Sequence, residues 1–168
     1  MIVVDANVIV PFFCASARTA VSQAVHERDP DWAVPTLWQY EFHNAMAKTM
    51  QAGLLSLDAA LAAARHAAEA LRPNTAELPF ALVLPLCARH RITAYDAAYI
   101  TLAQHLGCSL VTEDAELLRK FPDLALSMEA FLAEGSEPGV VREIPATYGR
   151  KNRRQGHTST SHLPPADL

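Results

Sequence analysis

Short apolar runs alternate along this chain with longer segments of helical character. Ile2–Val4 ends at a carboxylate, Trp32–Val34 ends at a proline, and Cys108–Thr112 and Leu124–Leu126 complete the set. Runs of this length and composition are typical of buried parallel strands. Strands that alternate with helices predict an α/β fold with helices on both faces of the sheet. We therefore predict a three-layer α/β/α sandwich with a central, mainly parallel sheet, whose ligand site lies at the carboxyl ends of the strands.

Capping residues and prolines set the expected limits of the helices. A helix should follow the first strand and be interrupted at Pro11. Thr36 is the expected N-cap of a helix over 36–51. Residues 75–81 give no clear prediction, and a helix after them should hold Pro85 in its first turn.

The charge of the chain is unevenly distributed. The formal net charge is −4, but residues 135–168 hold five of the 14 basic residues and only three of the 18 acidic ones. Residues 1–134 therefore carry a net charge of −6. A body this acidic does not bind nucleic acid by charge alone, so an RNA-binding role would require metal ions to offset the charge at the site.

The composition changes near residue 135. Residues 135–168 contain four of the six glycines and are rich in Ser, Thr, His and Pro, with a basic cluster at Arg150–Arg154. Such a segment buries too little apolar surface to offset its ordering entropy. We predict one folded domain over 1–134, followed by a polar, mildly basic and flexible tail over 135–168.

Other sequence features bear on where the protein resides. No apolar run approaches the ~20 residues of a membrane span, and Asp5 follows the N-terminus without a basic leader. Cys14, Cys87 and Cys108 are odd in number and dispersed, which argues against a disulfide framework and against a zinc site. We expect a reduced, cytoplasmic protein with no membrane association.

Two carboxylates are predicted to meet at one edge of the sheet. Asp5 follows the first strand, and Asp114 lies just beyond the strand Cys108–Thr112. If both strands are central and parallel, their carboxyl ends lie side by side. The alternative is that each residue only caps the helix that follows it.

Two further acidic residues lie in apolar helices. Asp96 stands in the first turn of an almost wholly apolar helix, which should be buried all round and so bury the carboxylate. Asp96 also lies three residues after Thr93, a spacing that suits simple capping. Glu41 lies on the flank of the helix over 36–51, where a solvated glutamate with a salt-bridge partner is the alternative.

Together these four carboxylates favour divalent-metal chemistry. Mg²⁺ and Mn²⁺ prefer oxygen ligands, and such an ion activates water and neutralises charge that develops on a phosphodiester. The chain has no Walker loop, no dinucleotide-binding glycine motif, no zinc-protease motif and no serine nucleophile elbow. Its seven histidines show no metal-ligand spacing.

The four acidic residues lie in four short segments of residues 1–133: Val4-Asp5-Ala6-Asn7, Pro35–Ala45, Thr93–Tyr99 and Leu110–Asp114. In kind and in order, these segments resemble those of PIN-domain ribonucleases, and most of all the VapC toxins of type II toxin–antitoxin pairs. The segment around Tyr95-Asp96 is the most specific.

The resemblance implies RNA cleavage that depends on Mg²⁺ or Mn²⁺. It implies that Asp5, Asp96 and Asp114 are metal ligands and that Glu41 acts through water. Asn7 and Thr112 occupy family positions whose polar side chains support the carboxylates. The same resemblance implies an antitoxin protein that occupies the acidic pocket, and a homodimer.

Other classes of protein remain as alternatives. A dehalogenase-type phosphatase would need a second aspartate where this chain has Asn7, and a receiver domain would need a paired acid and a late lysine that are missing. A housekeeping PIN nuclease without an antitoxin and a non-catalytic PIN-fold binding module both fit the same sequence. Which RNA is cut cannot be read from the sequence.

Overall fold

A single parallel sheet organises the protein in the computed structural model, which describes residues 1–134. The strands run in the order β3-β2-β1-β4-β5, and every neighbouring pair is parallel. The strands are β1 (Ile2–Val4), β2 (Trp32–Pro35), β3 (Thr75–Ala76), β4 (Leu110–Val111) and β5 (Ala125–Leu126). Because β1 lies at the centre, its carboxyl end is flanked by those of β2 and β4.

Helices connect the strands and cover both faces of the sheet. The helices are α1 (Ala6–Phe13), α2 (Thr19–Arg28), α3 (Trp38–Gln51), α4 (Leu57–Leu71), α5 (Phe80–His90), α6 (Ala94–Leu106), α7 (Ala115–Lys120) and α8 (Met128–Ala133), with a 3₁₀ turn at Arg72–Asn74. In one apolar cluster, helices α1, α2, α3, α4 and α8 pack against one face of the sheet. A second joins α5, α6 and α7 to the other face. The predicted three-layer α/β/α sandwich is confirmed, with an entirely parallel sheet in the described residues.

The β1 side chains show how the strand serves both layers. Val4 and Ile2 belong to the first cluster, and Val3, which points the other way, belongs to the second. A strand buried on both faces cannot alternate apolar with polar residues, which explains the continuous apolar run at the start of the sequence.

Helix α6 is the most buried helix of the fold. All seven residues from Ala97 to Ala103 are buried, as its apolar sequence predicted. It begins at Thr93, whose hydroxyl accepts a hydrogen bond from the Asp96 N–H at 3.1 Å, and it ends at Gly107 with φ of 64°. This helix therefore holds Asp96 and Tyr99 in fixed positions against the sheet.

Three local predictions were wrong. Pro11 does not interrupt α1, which continues to Phe13, and Pro85 lies in the interior of α5 because that helix begins earlier, at Phe80. Thr36 makes no capping bond, since α3 begins at Trp38 after a turn. Instead the Thr36 N–H donates to the Ala76 carbonyl at 2.9 Å, which continues the β2–β3 pairing.

Two further expectations concerned membrane spans and the cysteines. Within 1–134 no helix combines the length and the apolar character that crossing a bilayer demands. The three cysteines are free. The predicted tail over 135–168 lies outside the described residues.

Candidate active site

Asp5 lies at the carboxyl end of β1, directly beside the end of β4. Its N–H donates to the Val111 carbonyl at 3.1 Å, so the pairing of the two strands extends to Asp5. The side chain is buried, with only 9% of the residue exposed. Although Asp5 is the residue before α1, its side chain makes no capping hydrogen bond to that helix. The carboxylate is therefore not held by a capping bond of normal geometry, although the nearby Ala6 and Asn7 N–H groups lower its pKa.

Two side chains donate to the same oxygen of Asp5. The Thr112 hydroxyl donates to Oδ2 at 2.6 Å, and the Asn7 amide donates to it at 2.8 Å. Thr112 is fully buried, so its hydroxyl has no access to solvent and is held in this bond. Fixed donors of this kind orient a carboxylate, as the partners of metal ligands do in other proteins.

Thr112 and Asn7 also connect Asp5 to Asp114. The Thr112 hydroxyl oxygen accepts from the Asp114 N–H at 3.0 Å and from the Asn7 amide at 3.2 Å. The Asn7 amide oxygen accepts from the Glu113 N–H at 3.0 Å. These bonds join the start of α1 to the loop after β4 and fix the two aspartates relative to each other.

Asp114 is the N-cap of α7, as its sequence position suggested. Its Oδ1 accepts hydrogen bonds from the N–H groups of Glu116 at 2.8 Å and Leu117 at 2.9 Å. Its other oxygen, Oδ2, accepts none from residues 1–134. One oxygen therefore holds the helix, and the other is available to a ligand.

Glu41 packs toward Tyr99, and within residues 1–134 it forms no salt bridge. It is half-buried, and its Oε2 accepts a hydrogen bond of 2.5 Å from the Tyr99 hydroxyl. Tyr99 itself is only 1% exposed. Tyr99 was not among the site residues predicted from the sequence. Its position three residues after Asp96 was the available signal, because a buried phenol needs a polar partner.

Asp96 is half-buried rather than fully buried as predicted. It stands in the first turn of α6, where the Thr93 hydroxyl donates to its Oδ2 at 2.7 Å. The buried stretch of α6 begins only at the next residue. The carboxylate therefore retains contact with solvent.

The electrostatics show that these carboxylates influence one another. Burial raises the pKa of Asp5, and the negative charge of Asp114 adds to this effect, while the Thr112 hydrogen bond opposes it. Burial also raises the pKa of Glu41, with further contributions from the charges of Asp5 and Asp96. Each negative charge disfavours ionisation of its neighbours. A bound cation would therefore stabilise the ionised carboxylates.

The donor set suits a hydrated divalent ion better than an all-protein metal cage. Among residues 1–134, no three Asp, Glu, His or Cys side chains converge closely enough to hold a metal on their own. Mg²⁺ keeps several water ligands and usually takes only one or two carboxylates. The residues present therefore fit such an ion, because they offer oxygen donors, mutual repulsion and a free carboxylate oxygen on Asp114.

The raised pKa values predict how the stability of the metal-free protein depends on pH. As the pH rises above about 4, the unfolded chain releases protons that the folded protein retains on Asp5 and Glu41. The contribution of Asp5 and Glu41 to the free energy of unfolding therefore falls as the pH rises. We expect Asp5→Asn to melt above the wild type in EDTA, by a margin that widens from pH 4 to pH 7. Thermal melts across this range measure it, and a margin that does not change with pH would contradict the assignment.

Comparison with known proteins identifies the class of protein. Residues 2–123 match the PIN domain family. The chain therefore belongs to the PIN domain family.

Individual relatives agree with this assignment. The chain is 34% identical over 131 residues to a protein named Ribonuclease VapC3 from Pyrobaculum aerophilum, covering 73% of this chain and 96% of that protein. It is also similar to the crystal structure of PAE2754 from the same organism, with a TM-score of 0.64 and 26% identity, covering 80% of this chain and 88% of that one. The matches thus cover nearly the whole length of each relative. Residues 2–123, which match the family, contain all four carboxylates.

Proposed function

We propose that this protein is a metal-dependent ribonuclease that acts as the toxin of a toxin–antitoxin pair. One observation carries the proposal: Asp5 and Asp114, joined through the Thr112 hydroxyl, lie at the carboxyl edge of a parallel sheet, in a chain that is 34% identical to Ribonuclease VapC3. A single-stranded RNA incubated with the purified chain and Mg²⁺ should be cleaved internally. Absence of cleavage over a panel of RNA sequences would count against the activity.

Each carboxylate has a role in this proposal. Asp5, Asp96 and Asp114 would hold a hydrated Mg²⁺ or Mn²⁺ ion together with its water ligands, and Glu41 would act through a water molecule. When bound, the ion supplies an activated water and neutralises charge on the phosphodiester. Tyr99 fixes the Glu41 carboxylate through its hydroxyl, at a hydrogen bond of 2.5 Å.

Thr112 and Asn7 position the carboxylates without contacting the substrate. Thr112→Val removes a hydroxyl that donates to Asp5 and accepts from the Asp114 N–H, while it preserves the shape of the side chain. We expect cleavage to fall about 10- to 100-fold, the usual effect of losing a partner of a metal ligand. Steady-state rates at saturating Mg²⁺ measure this loss.

Thr101→Val is the matched control for that variant. Thr101 is also buried, but its hydroxyl has no hydrogen-bond partner among the described residues. The substitution should leave cleavage unchanged, and it should preserve or raise the melting temperature because an unsatisfied polar group is removed. Equal effects of the two substitutions on cleavage would show that Thr112 has no special role.

Exposed apolar side chains offer surfaces for the protein partners. Leu54, Leu57 and Leu61 are 79%, 62% and 48% exposed and lie along the turn between α3 and α4 and the start of α4. Their spacing suits an amphipathic helix of an antitoxin. An antitoxin arginine could also pair with the carboxylate cluster.

A second apolar surface lies on α5. Phe80 and Leu84 are 76% and 55% exposed there, and a homodimer would cover them.

The toxin role is tested by expression. The chain alone should slow growth, and co-expression with the small protein encoded beside it should restore growth and give a complex that co-purifies. Leu57→Asp should weaken that complex without changing RNA cleavage. Cleavage in vitro without an effect on growth and without a binding neighbour would favour a housekeeping nuclease. A folded chain that binds RNA without cutting it would favour the non-catalytic module.

A further inference from the structure

Arg18, in the turn before α2, reaches the carboxyl edge of the sheet. The Arg18 guanidinium donates a hydrogen bond to the Glu113 carboxylate, which lies one residue before Asp114. The second acidic neighbour, Glu129, is 3.8 Å away. The Arg18 side chain is 45% exposed, whereas that of Glu113 is only 14% exposed. The guanidinium therefore lies over Glu113 with its outer side toward solvent.

Glu113 is firmly held beneath the arginine. Its N–H donates to the Asn7 amide oxygen at 3.0 Å, and its Oε1 accepts from the Met128 N–H at 2.9 Å. Only its Oε2 is left for Arg18. Asn7 in turn donates to Asp5, so one hydrogen-bonded chain links the guanidinium position to the centre of the site. Arg18 is thereby placed at a fixed point beside the carboxylates.

No other basic residue in the described part of the chain occupies a comparable position. Residues 1–134 contain nine basic side chains against 15 acidic ones. Within that range, Arg18 alone forms a hydrogen bond or ion pair to a residue adjoining one of the four carboxylates. Lys120 is engaged by the His90 and Arg91 carbonyls and by Glu116. An incoming polyanion therefore meets one anchored cation at this edge.

We propose that Arg18 binds a phosphate of the RNA strand next to the scissile phosphodiester, and that Glu113 holds the guanidinium ready for it. This inference rests on the proposed ribonuclease function. Arginine carries five N–H donors in a planar fork and binds phosphate bidentately. The donors not used by Glu113 are available on the exposed side. Arg18 thus supplies part of the phosphate binding that the acidic domain lacks. The proposed metal site is responsible for the cleavage step.

A purely structural role for Arg18 makes different predictions. The ion pair also ties the turn before α2 to the loop after β4, so its loss could lower stability alone. In that case Arg18→Ala and Glu113→Gln should have the same effects, because each breaks the pair. A phosphate-binding role separates them, since Glu113→Gln breaks the pair but leaves the cation free to bind RNA.

The experiment measures kcat, KM and the salt dependence of RNA binding for matched variants. Binding is followed by fluorescence anisotropy of a labelled single-stranded RNA in EDTA, and kinetics are measured with Mg²⁺. Arg18→Ala should raise KM about tenfold with little change in kcat. It should also reduce the slope of log affinity against log salt by about one. Arg18→Lys should keep that slope and recover part of the affinity, because lysine retains the charge but not the fork.

Two variants serve as controls. Arg65→Ala removes an exposed arginine of α4 that forms no ion pair with the described residues, and it should leave KM and the salt slope near the wild type. Glu113→Gln should raise KM by less than Arg18→Ala does, because the cation remains but is no longer held in place, and it should keep the wild-type salt slope. If Arg18→Ala matches Arg65→Ala, or if Glu113→Gln raises KM as much as Arg18→Ala does, the proposal is overturned while the nuclease function stands. A wild-type chain that does not cut RNA would instead overturn the function itself.

Discussion

Asp5→Asn and Asp96→Asn are each expected to reduce RNA cleavage at least about 100-fold, beyond the loss seen for partners of metal ligands. Asparagine preserves the size of the side chain but lacks the negative charge that holds a divalent ion. The fold should survive the change at position 5. Thr112 and Asn7 donate to one oxygen of Asp5, and the amide oxygen of asparagine can accept both bonds.

Initial rates on a single-stranded RNA, together with circular dichroism melts, measure this prediction. Asp58→Asn is the matched control, because Asp58 is an exposed aspartate in the first turn of α4. It should cleave at the wild-type rate. Near-wild-type turnover by either Asp5→Asn or Asp96→Asn would show that the site has been misplaced. Glu41→Gln should be severe but less complete, because Glu41 acts through water in this account.

The sequence predicted the placement of Asp5 and Asp114 because that placement depends on topology alone. Two apolar runs that each lead to an aspartate become neighbouring parallel strands, and their ends meet. The bond from the Asp5 N–H to the Val111 carbonyl is a direct consequence. The apolar runs and the geometry of parallel sheets were therefore sufficient to predict that Asp5 and Asp114 lie close together.

The partner of Glu41 and the exposure of Asp96 could not be predicted in the same way. Both residues lie on helices, and helix packing decides which flank of α3 faces α6. The Tyr99 hydroxyl then becomes the partner of Glu41, in place of a surface cation. Asp96 is less buried than the composition of its helix suggests, because it stands in the first turn, before the buried stretch begins.

The short strand β3 and the interior prolines show another limit of the sequence. β3 comprises only Thr75 and Ala76, and it pairs with Val34 and Pro35 of β2. A two-residue strand has no periodicity to detect. Pro85 lies inside α5 although it removes one helix hydrogen bond, so the helix begins earlier than the proline alone indicated.

Removal of divalent ions is expected to abolish cleavage altogether. The proposed site offers only oxygen ligands, which suit Mg²⁺ and Mn²⁺. The acidic body, with a net charge of −6 over residues 1–134, gives a phosphodiester little other stabilisation. Without the ion, no group in the proposed site is assigned to activate water or to neutralise the developing charge.

The most direct test is therefore a cleavage assay of the wild-type chain and Asp96→Asn in EDTA, followed by titration of each with Mg²⁺ or Mn²⁺. The account predicts no cleavage by either protein in EDTA and full recovery of the wild type at millimolar Mg²⁺, on the order of cellular levels. It also predicts that Asp96→Asn does not recover at the same concentration. Cleavage by the wild type that persists in excess EDTA, or equal recovery of the two proteins, would contradict a carboxylate-bound metal as the centre of this enzyme.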